Sequence, residues 1–146
     1  MIAKGYIDEK AIGAQGHSWG GYQVAYLATR TDLFSAIESG APVVNMFSAY
    51  GGIRLGLGMA RSFQYEHYTK PSGRYAMEFP LRYLENSPLF TMDKVQTPIL
   101  IMHNDADGHV LGTKVSSISL HEEARQTLLV IELLLANRTG PRTWRT

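Results

Sequence analysis

Two kinds of hydrophobic pattern take turns along most of the chain. Residues 11–15 (AIGAQ) form a short, mostly apolar run of a length that suits a buried strand. Residues 20–31 are rich in helix formers and set Val24, Leu27 and Ala28 at helical spacing. Residues 36–39 (AIES) and 42–44 (PVV) read as a second strand and its exit. Residues 46–84, rich in Gly, Tyr, Phe and Arg, predict short helices and loops. Ser87-Pro88 and Thr97-Pro98 then break the chain. Residues 99–102 (ILIM) predict a third buried strand, followed by an acidic loop over 103–108. Strands alternating with helices imply an α/β fold, with a mostly parallel sheet and helical crossovers.

The pattern is weaker at the ends. Residues 1–7 read as the end of a helix and residues 8–10 as a polar turn. Residues 112–119 are polar and patternless. Residues 120–135 are helix-compatible, with apolar positions almost all round the second half, and residues 138–146 are basic and shapeless.

Composition narrows the field by exclusion. The 146 residues suffice for one modest domain with a buried core. A net charge of +1 gives no reason to expect nucleic acid or an anionic membrane as partner. Without cysteine, disulfides and thiolate metal sites are excluded. No apolar run is long enough to span a bilayer, and residues 1–30 lack the basic-then-apolar order of a signal peptide. The compartment stays unknown.

The segment Gly16-His17-Ser18-Trp19-Gly20 matches G-x-S-x-G. Such a strand-to-helix bend lifts the serine to its tip in a strained conformation. Glycines at both flanks let strand and helix approach closely. The serine oxygen then projects from the carboxyl edge of the sheet, near a helix N-terminus, where the Trp19 N–H can serve as an oxyanion donor. Five letters rich in Gly and Ser are a weak match alone, and a glycine turn with a solvated serine is the bland reading. The strand-like run before and the helix-like run after favour the elbow. Phosphate-binding alternatives fail: there is no G-x-G-x-x-G, and no Gly-Lys pair closing a Walker loop.

Three separated blocks, GHSWGGYQVAYLATR, FSAIESGAPVVNMFSAY and ENSPLF…DKVQTPILIMHNDADG, occur in the order found in the prolyl oligopeptidase family of serine peptidases. The chain resembles the catalytic domain of that family over about residues 1–110. The resemblance implies a partial α/β-hydrolase fold that lacks its N-terminal strands, with triad order Ser, Asp, His. It also implies peptide substrates, no cofactor or metal, and an N-terminal β-propeller in the parent protein. His103, Asp107 and Val110 match the family's H-x-x-x-D-x-x-V pattern, so Ser18 and Asp107 are the implied nucleophile and acid. Asp105 lies two residues too early. A calcium loop around Asp105–Gly108 fails, because the ligand positions at either end would fall on His103 and Lys114. An esterase or lipase on the same fold and a non-catalytic truncated product are the competing functions.

The family's histidine follows the acid by a few dozen residues, near Arg138 and Thr139 here, yet no histidine occurs after His121. Residues 111–146 therefore read as a divergent tail. Two explanations stand, a naturally inactive relative and a shift of reading frame, and the codons favour the second. Codons permitted for residues 111–117 also encode W-Y-Q-G-I-E when two bases are skipped, which resembles the family. Codons for residues 126–134 can yield K-P-S-W-L-L-N-Y, resembling its last strand, and those for 135–140 can yield G-E-P-H-G. The histidine codon would straddle Arg138 and Thr139. The literal chain is expected to be an inactive fragment.

The remaining candidates have plainer readings. His17 is expected to point away from Ser18, His67 to sit on a polar surface, and His103 to end its strand as a structural group. His109 and His121 have no metal-ligand spacing with any carboxylate pair. Residues 45–54 are expected to line the substrate pocket. Asn137-Arg138-Thr139 matches the glycosylation triplet and carries no weight in such a tail.

Overall fold

A computed structural model describes residues 2–54, 57–68, 75–104, 107–108 and 128–133; of Tyr68 and of 128–133 it describes the backbone alone. The chain opens with a short 3-10 turn, Ile2–Lys4, where the sequence predicted a helix end. The turn at 8–10 forms as expected, closed by the Ala11 N–H donating to the Asp8 carbonyl at 3.1 Å.

Strand β1 (Gly13–His17) leads into helix α1 (Trp19–Ala28), and β2 (Ala36–Gly40) follows. Helix α2 spans Met46–Gly51. A two-residue ribbon comes next, with β3 (Ile53–Arg54) antiparallel to β4 (Met59–Ala60). A π-helical turn (Gln64–Tyr68), helix α3 (Pro80–Glu85) and a kinked 3-10 segment (Pro88–Lys94) lead to β5 (Ile99–Asn104). Strand β6 is Leu128–Leu133. The main sheet runs β1-β2-β5-β6, all parallel.

The helix-compatible reading of 120–135 is corrected over 128–133, the part of it that lies within the described residues. Residues 128–133 form a strand paired with all six residues of β5. A continuous apolar run fits a buried strand as well as a buried helix. The open edge of β5 offers six residues of parallel pairing, and the β-branched Val130 and Ile131 favour it.

Register shows how the core is built. Ala14, Ile37 and Ile99 align across β1, β2 and β5, as do Gly16, Ser39 and Ile101. These residues share one face of the sheet. Helix α1 packs on that face through Gly21, Val24, Ala25 and Ala28, positions separated by three and four residues. Leu27, assigned to the apolar stripe by the sequence, instead faces outward. Met92 and Val95 complete the cluster with Val44. Buried Ser39 is satisfied by donating to the Gly21 carbonyl at 2.9 Å, which ties β2 to α1.

Candidate active site

The site begins with a backbone that cannot continue straight. After β1, Ser18 adopts φ 58°, ψ −114°, a conformation that an L-residue adopts only under constraint. The constraint is visible on both sides. The Ser18 N–H donates to the Gly40 carbonyl at 2.8 Å, and its own carbonyl accepts the Tyr22 N–H at 3.0 Å. One bond fixes the bend to β2, the other to the first turn of α1. The Ser18 side chain makes no capping bond to that turn. The strand–turn–helix geometry is that of a nucleophile elbow.

Two glycines make the bend sterically feasible, and only one of them, Gly16, belongs to the motif. A Cβ on Gly16 would lie 2.3 Å from the Gly20 carbonyl oxygen, and one on Gly21 would lie 2.4 Å from that of Gly40. A Cβ on Gly20 would meet nothing within 4 Å. The close approaches are strand to helix start at Gly16 and helix to β2 at Gly21.

Trp19 is the first residue of α1, so its N–H lies among the helix's unsatisfied donors, next to the serine. Its indole packs edge-on to Tyr22 at 5.8 Å and tilted to Tyr65 at 5.7 Å. Tyr65 also packs against Tyr50 and Tyr83, and Phe47 joins the group through Tyr83. This aromatic wall stands beside the elbow, with Val43, Met46 and Ala49 behind it. Within 45–54, helix α2 contributes Phe47 and Tyr50 to this wall.

Asn45 starts α2 by accepting from the N–H groups of Phe47 (3.0 Å) and Ser48 (3.2 Å). Ser87 Oγ, itself donating to the Tyr83 carbonyl at 2.6 Å, accepts the Met46 N–H at 2.9 Å. This links α2 to the end of α3. From the sequence, the Met and aromatic residues between Met46 and Tyr83 read as core and pocket wall and not as a cofactor box; Tyr65 and Tyr83 are both buried.

Tyr50 donates to Glu66 Oε1 at 2.5 Å. That bond, helped by burial, pushes the Tyr50 phenol up to about 12. Burial pushes Tyr65 up to about 12 as well, and raises Tyr22. Burial also lowers Arg61 from its ordinary value, while Tyr65 and Asp107 work in the opposite direction.

Asp107 lies just past the carboxyl end of β5, with its N–H donating to the Asn104 carbonyl at 3.3 Å. Ser18 lies just past the carboxyl end of β1. Since β1, β2 and β5 are parallel neighbours, both residues emerge at the same edge of the sheet. The two strand ends stand roughly 10 Å apart, two strand spacings. Asp105, His109, Val110, Lys114, His121 and Asn137–Thr139 lie outside the described residues.

The other histidines take places of their own. His17 is exposed and lies over Gly40, where its Nδ1 would be 2.9 Å from an added Cβ. His67 is exposed on the π-helical turn. His103 is buried within β5 on the core side, not at the strand's end as expected. Among the described residues no group of three or more His, Cys, Asp or Glu could hold a metal ion. No described helix is long and apolar enough to cross a membrane.

Residues 1–123 match the family model for the prolyl oligopeptidase family. An uncharacterized peptidase, YuxL, of Bacillus subtilis (strain 168) is 27% identical over 127 residues, 86% of this chain and 18% of that protein. The acylaminoacyl peptidase of Pyrococcus horikoshii superposes with a TM-score of 0.69 at 22% identity, over 90% of this chain and 20% of its own. A Mycobacterium tuberculosis puromycin-hydrolyzing peptidase gives 0.71 at 22% identity, over 90% and 19%. The chain thus spans about a fifth of the length of these relatives. It belongs to the prolyl oligopeptidase family and has part of the α/β-hydrolase fold.

Proposed function

We propose that this member of the prolyl oligopeptidase family carries the nucleophile and acid of a serine peptidase, and that the literal chain turns over little or no peptide because it lacks the base. The observation that carries the reading is the backbone of Ser18, held at φ 58°, ψ −114° between β1 and α1. A solvated serine in an ordinary turn has no need of that conformation, or of neighbours at Gly16 and Gly21 too close for a Cβ.

In the complete parent protein, Ser18 Oγ attacks the scissile carbonyl and its proton passes to a histidine. The amine leaves with that proton, and water hydrolyses the acyl-enzyme. The Trp19 N–H donates to the oxyanion. Asp107 holds the histidine in the right tautomer and stabilises its charged form. No histidine follows His121 in this chain, and the proposed shifted frame puts the missing one across Arg138 and Thr139. The parent carries a β-propeller ahead of the catalytic domain. Without the base, catalysis falls to what binding and the oxyanion donor supply.

A fluorophosphonate probe tests the assignment. No labelling of the literal chain is expected, together with labelling of a frame-restored full-length protein that disappears in Ser18→Ala. Labelling that survives Ser18→Ala, or a restored protein that hydrolyses esters and no peptide, would overturn it. The nucleotide sequence behind residues 105–146 tests the frame directly: a second frame must encode G-E-P-H-G.

A further inference from the structure

We propose that Arg54 and Arg61 form a carboxylate-binding subsite beside the elbow, which favours peptides bearing an acidic group; its ligand class rests on the peptidase reading. The β3/β4 ribbon sets the geometry. Arg54 pairs with Met59, and the chain runs on from β4 to Arg61, whose N–H donates to the Gly52 carbonyl at 2.9 Å. Side chains alternate along a ribbon, so positions 54, 59 and 61 lie on one face. Two of those three positions are arginines.

The face looks toward the nucleophile's shoulder. Arg61 is only 5% exposed, with its guanidinium carbon 5.9 Å from the centre of the Tyr65 ring. The same ring packs 5.7 Å from Trp19, the residue after Ser18. One aromatic side chain therefore separates the cation from the elbow. Arg54 Nη2 donates to the neutral amide oxygen of Gln64 at 3.0 Å. Arg54 Nε is shielded from solvent and has no hydrogen-bond partner among the described residues.

Placing two guanidinium groups on one small face is unfavourable for the folded chain. Burial is the larger cost at Arg61, and repulsion from Arg54 adds to it. Asp107 offers opposite charge to Arg61 from the acid loop. That leaves Arg54, half-buried and beside a neutral amide, as the guanidinium that would meet an incoming anion, through its Nη groups. A guanidinium binds a carboxylate through two parallel N–H donors, and stacking on an aromatic face holds its plane. An acidic side chain or a free C-terminal carboxylate of a peptide has the shape and charge that this pair would accept.

The test uses the full 146-residue chain and calorimetric binding of acetylated, amidated Ala-Ala-Glu-Ala, its Gln counterpart, and the Gln peptide with a free C-terminus. The Glu peptide is expected to bind at least about tenfold tighter than the amidated Gln peptide. Arg54→Gln should bring that ratio to near one, and Arg61→Lys, which keeps the charge and loses the fork, should reduce it. The free C-terminus replaces Glu in the binding order if the ligand is a terminal carboxylate. Equal affinities, no binding of either acidic form at millimolar concentration, or a ratio unchanged in both variants would overturn the subsite. Fluorophosphonate labelling of the frame-restored protein reads the nucleophile separately. Labelling without charge preference sinks the subsite alone, and charge preference without labelling sinks the nucleophile alone.

Discussion

Ser18 stores strain that its replacements should report. An L-residue at φ 58°, ψ −114° costs on the order of 1–3 kcal/mol. Ser18→Ala and Ser18→Gly both remove the hydroxyl, but only glycine adopts that conformation freely. Glycine's larger unfolded-state entropy returns part of the gain. In urea titrations Ser18→Gly should therefore be about 1 kcal/mol more stable than Ser18→Ala. Equal midpoints would mean that the bend is relaxed and the elbow reading wrong. Tyr50 makes a second statement at this scale. Its phenol is raised from 10.0 to about 12, chiefly by its bond to Glu66. A raised value means that the proton is held more tightly in the folded state than in the unfolded one. The stabilisation is complete below pH 10 and is lost as pH rises toward 12. Tyrosinate absorbance should show two groups titrating near pH 12, one of which disappears in Tyr50→Phe while the other, Tyr65, which burial places in the same range, remains. An unchanged amplitude near pH 12 in Tyr50→Phe would mean that the bond to Glu66 does not hold the Tyr50 proton.

Helix α1 and its two neighbouring strands show where a motif and a structure part. The G-x-S-x-G letters give Gly20 the same rank as Gly16, yet a Cβ at Gly20 meets nothing within 4 Å. Gly20→Ala should be neutral or stabilising by up to about 1 kcal/mol, as for a helical glycine with open space at its Cβ position. Gly21→Ala would drive a methyl to 2.4 Å from the Gly40 carbonyl oxygen. Separating α1 from β2 should cost at least about 2 kcal/mol, read as a loss of thermal stability. A tolerated Gly21→Ala would mean that the helix does not sit so close to the strand. The elbow itself was legible because its chemistry is local: β1, the bend and α1 follow each other within sixteen residues, Gly13–Ala28. The parallel sheet was legible for a similar reason, since 36–39 and the apolar 99–102 are short strand-like runs bounded by turn residues. Two features were not. Strand β6 was read as helix because LLVIEL has no period that separates the two states; only the free edge of β5 decides between them. The aromatic residues of 46–83 read as core and pocket wall, but which of them meet Trp19, and the arginine face beside them, depend on contacts that no spacing reveals, Trp19 with Tyr65 and Arg54 with Gln64.

At the scale of the whole molecule, the described residues cover the sheet unevenly. Ala14, Ile37, Ile99 and Ile101 lie under α1 and the 88–94 segment. The opposite face carries Gln15 and Ala36, both exposed, and Leu100 and Met102, both half-buried, and no described element covers it. All-parallel sheets are normally packed on both faces. Strand β1 also lies at an edge, with its outer backbone groups unpaired by any described strand. An open edge and a partly apolar face are the two features that promote association between chains. The literal chain should therefore gain mass with concentration in sedimentation experiments and bind a hydrophobic dye. The double substitution Leu100→Gln, Met102→Gln should weaken both effects, because it removes apolar area from that face and leaves the α1 side untouched. If the edge of β1 drives association instead, the double variant will still gain mass while losing dye binding, and Gln15→Pro, on that edge, will suppress it. A chain that remains a single species without dye binding up to high concentration would show that the face is closed, and with it that this sheet buries itself on both sides without help from any other part of a longer hydrolase.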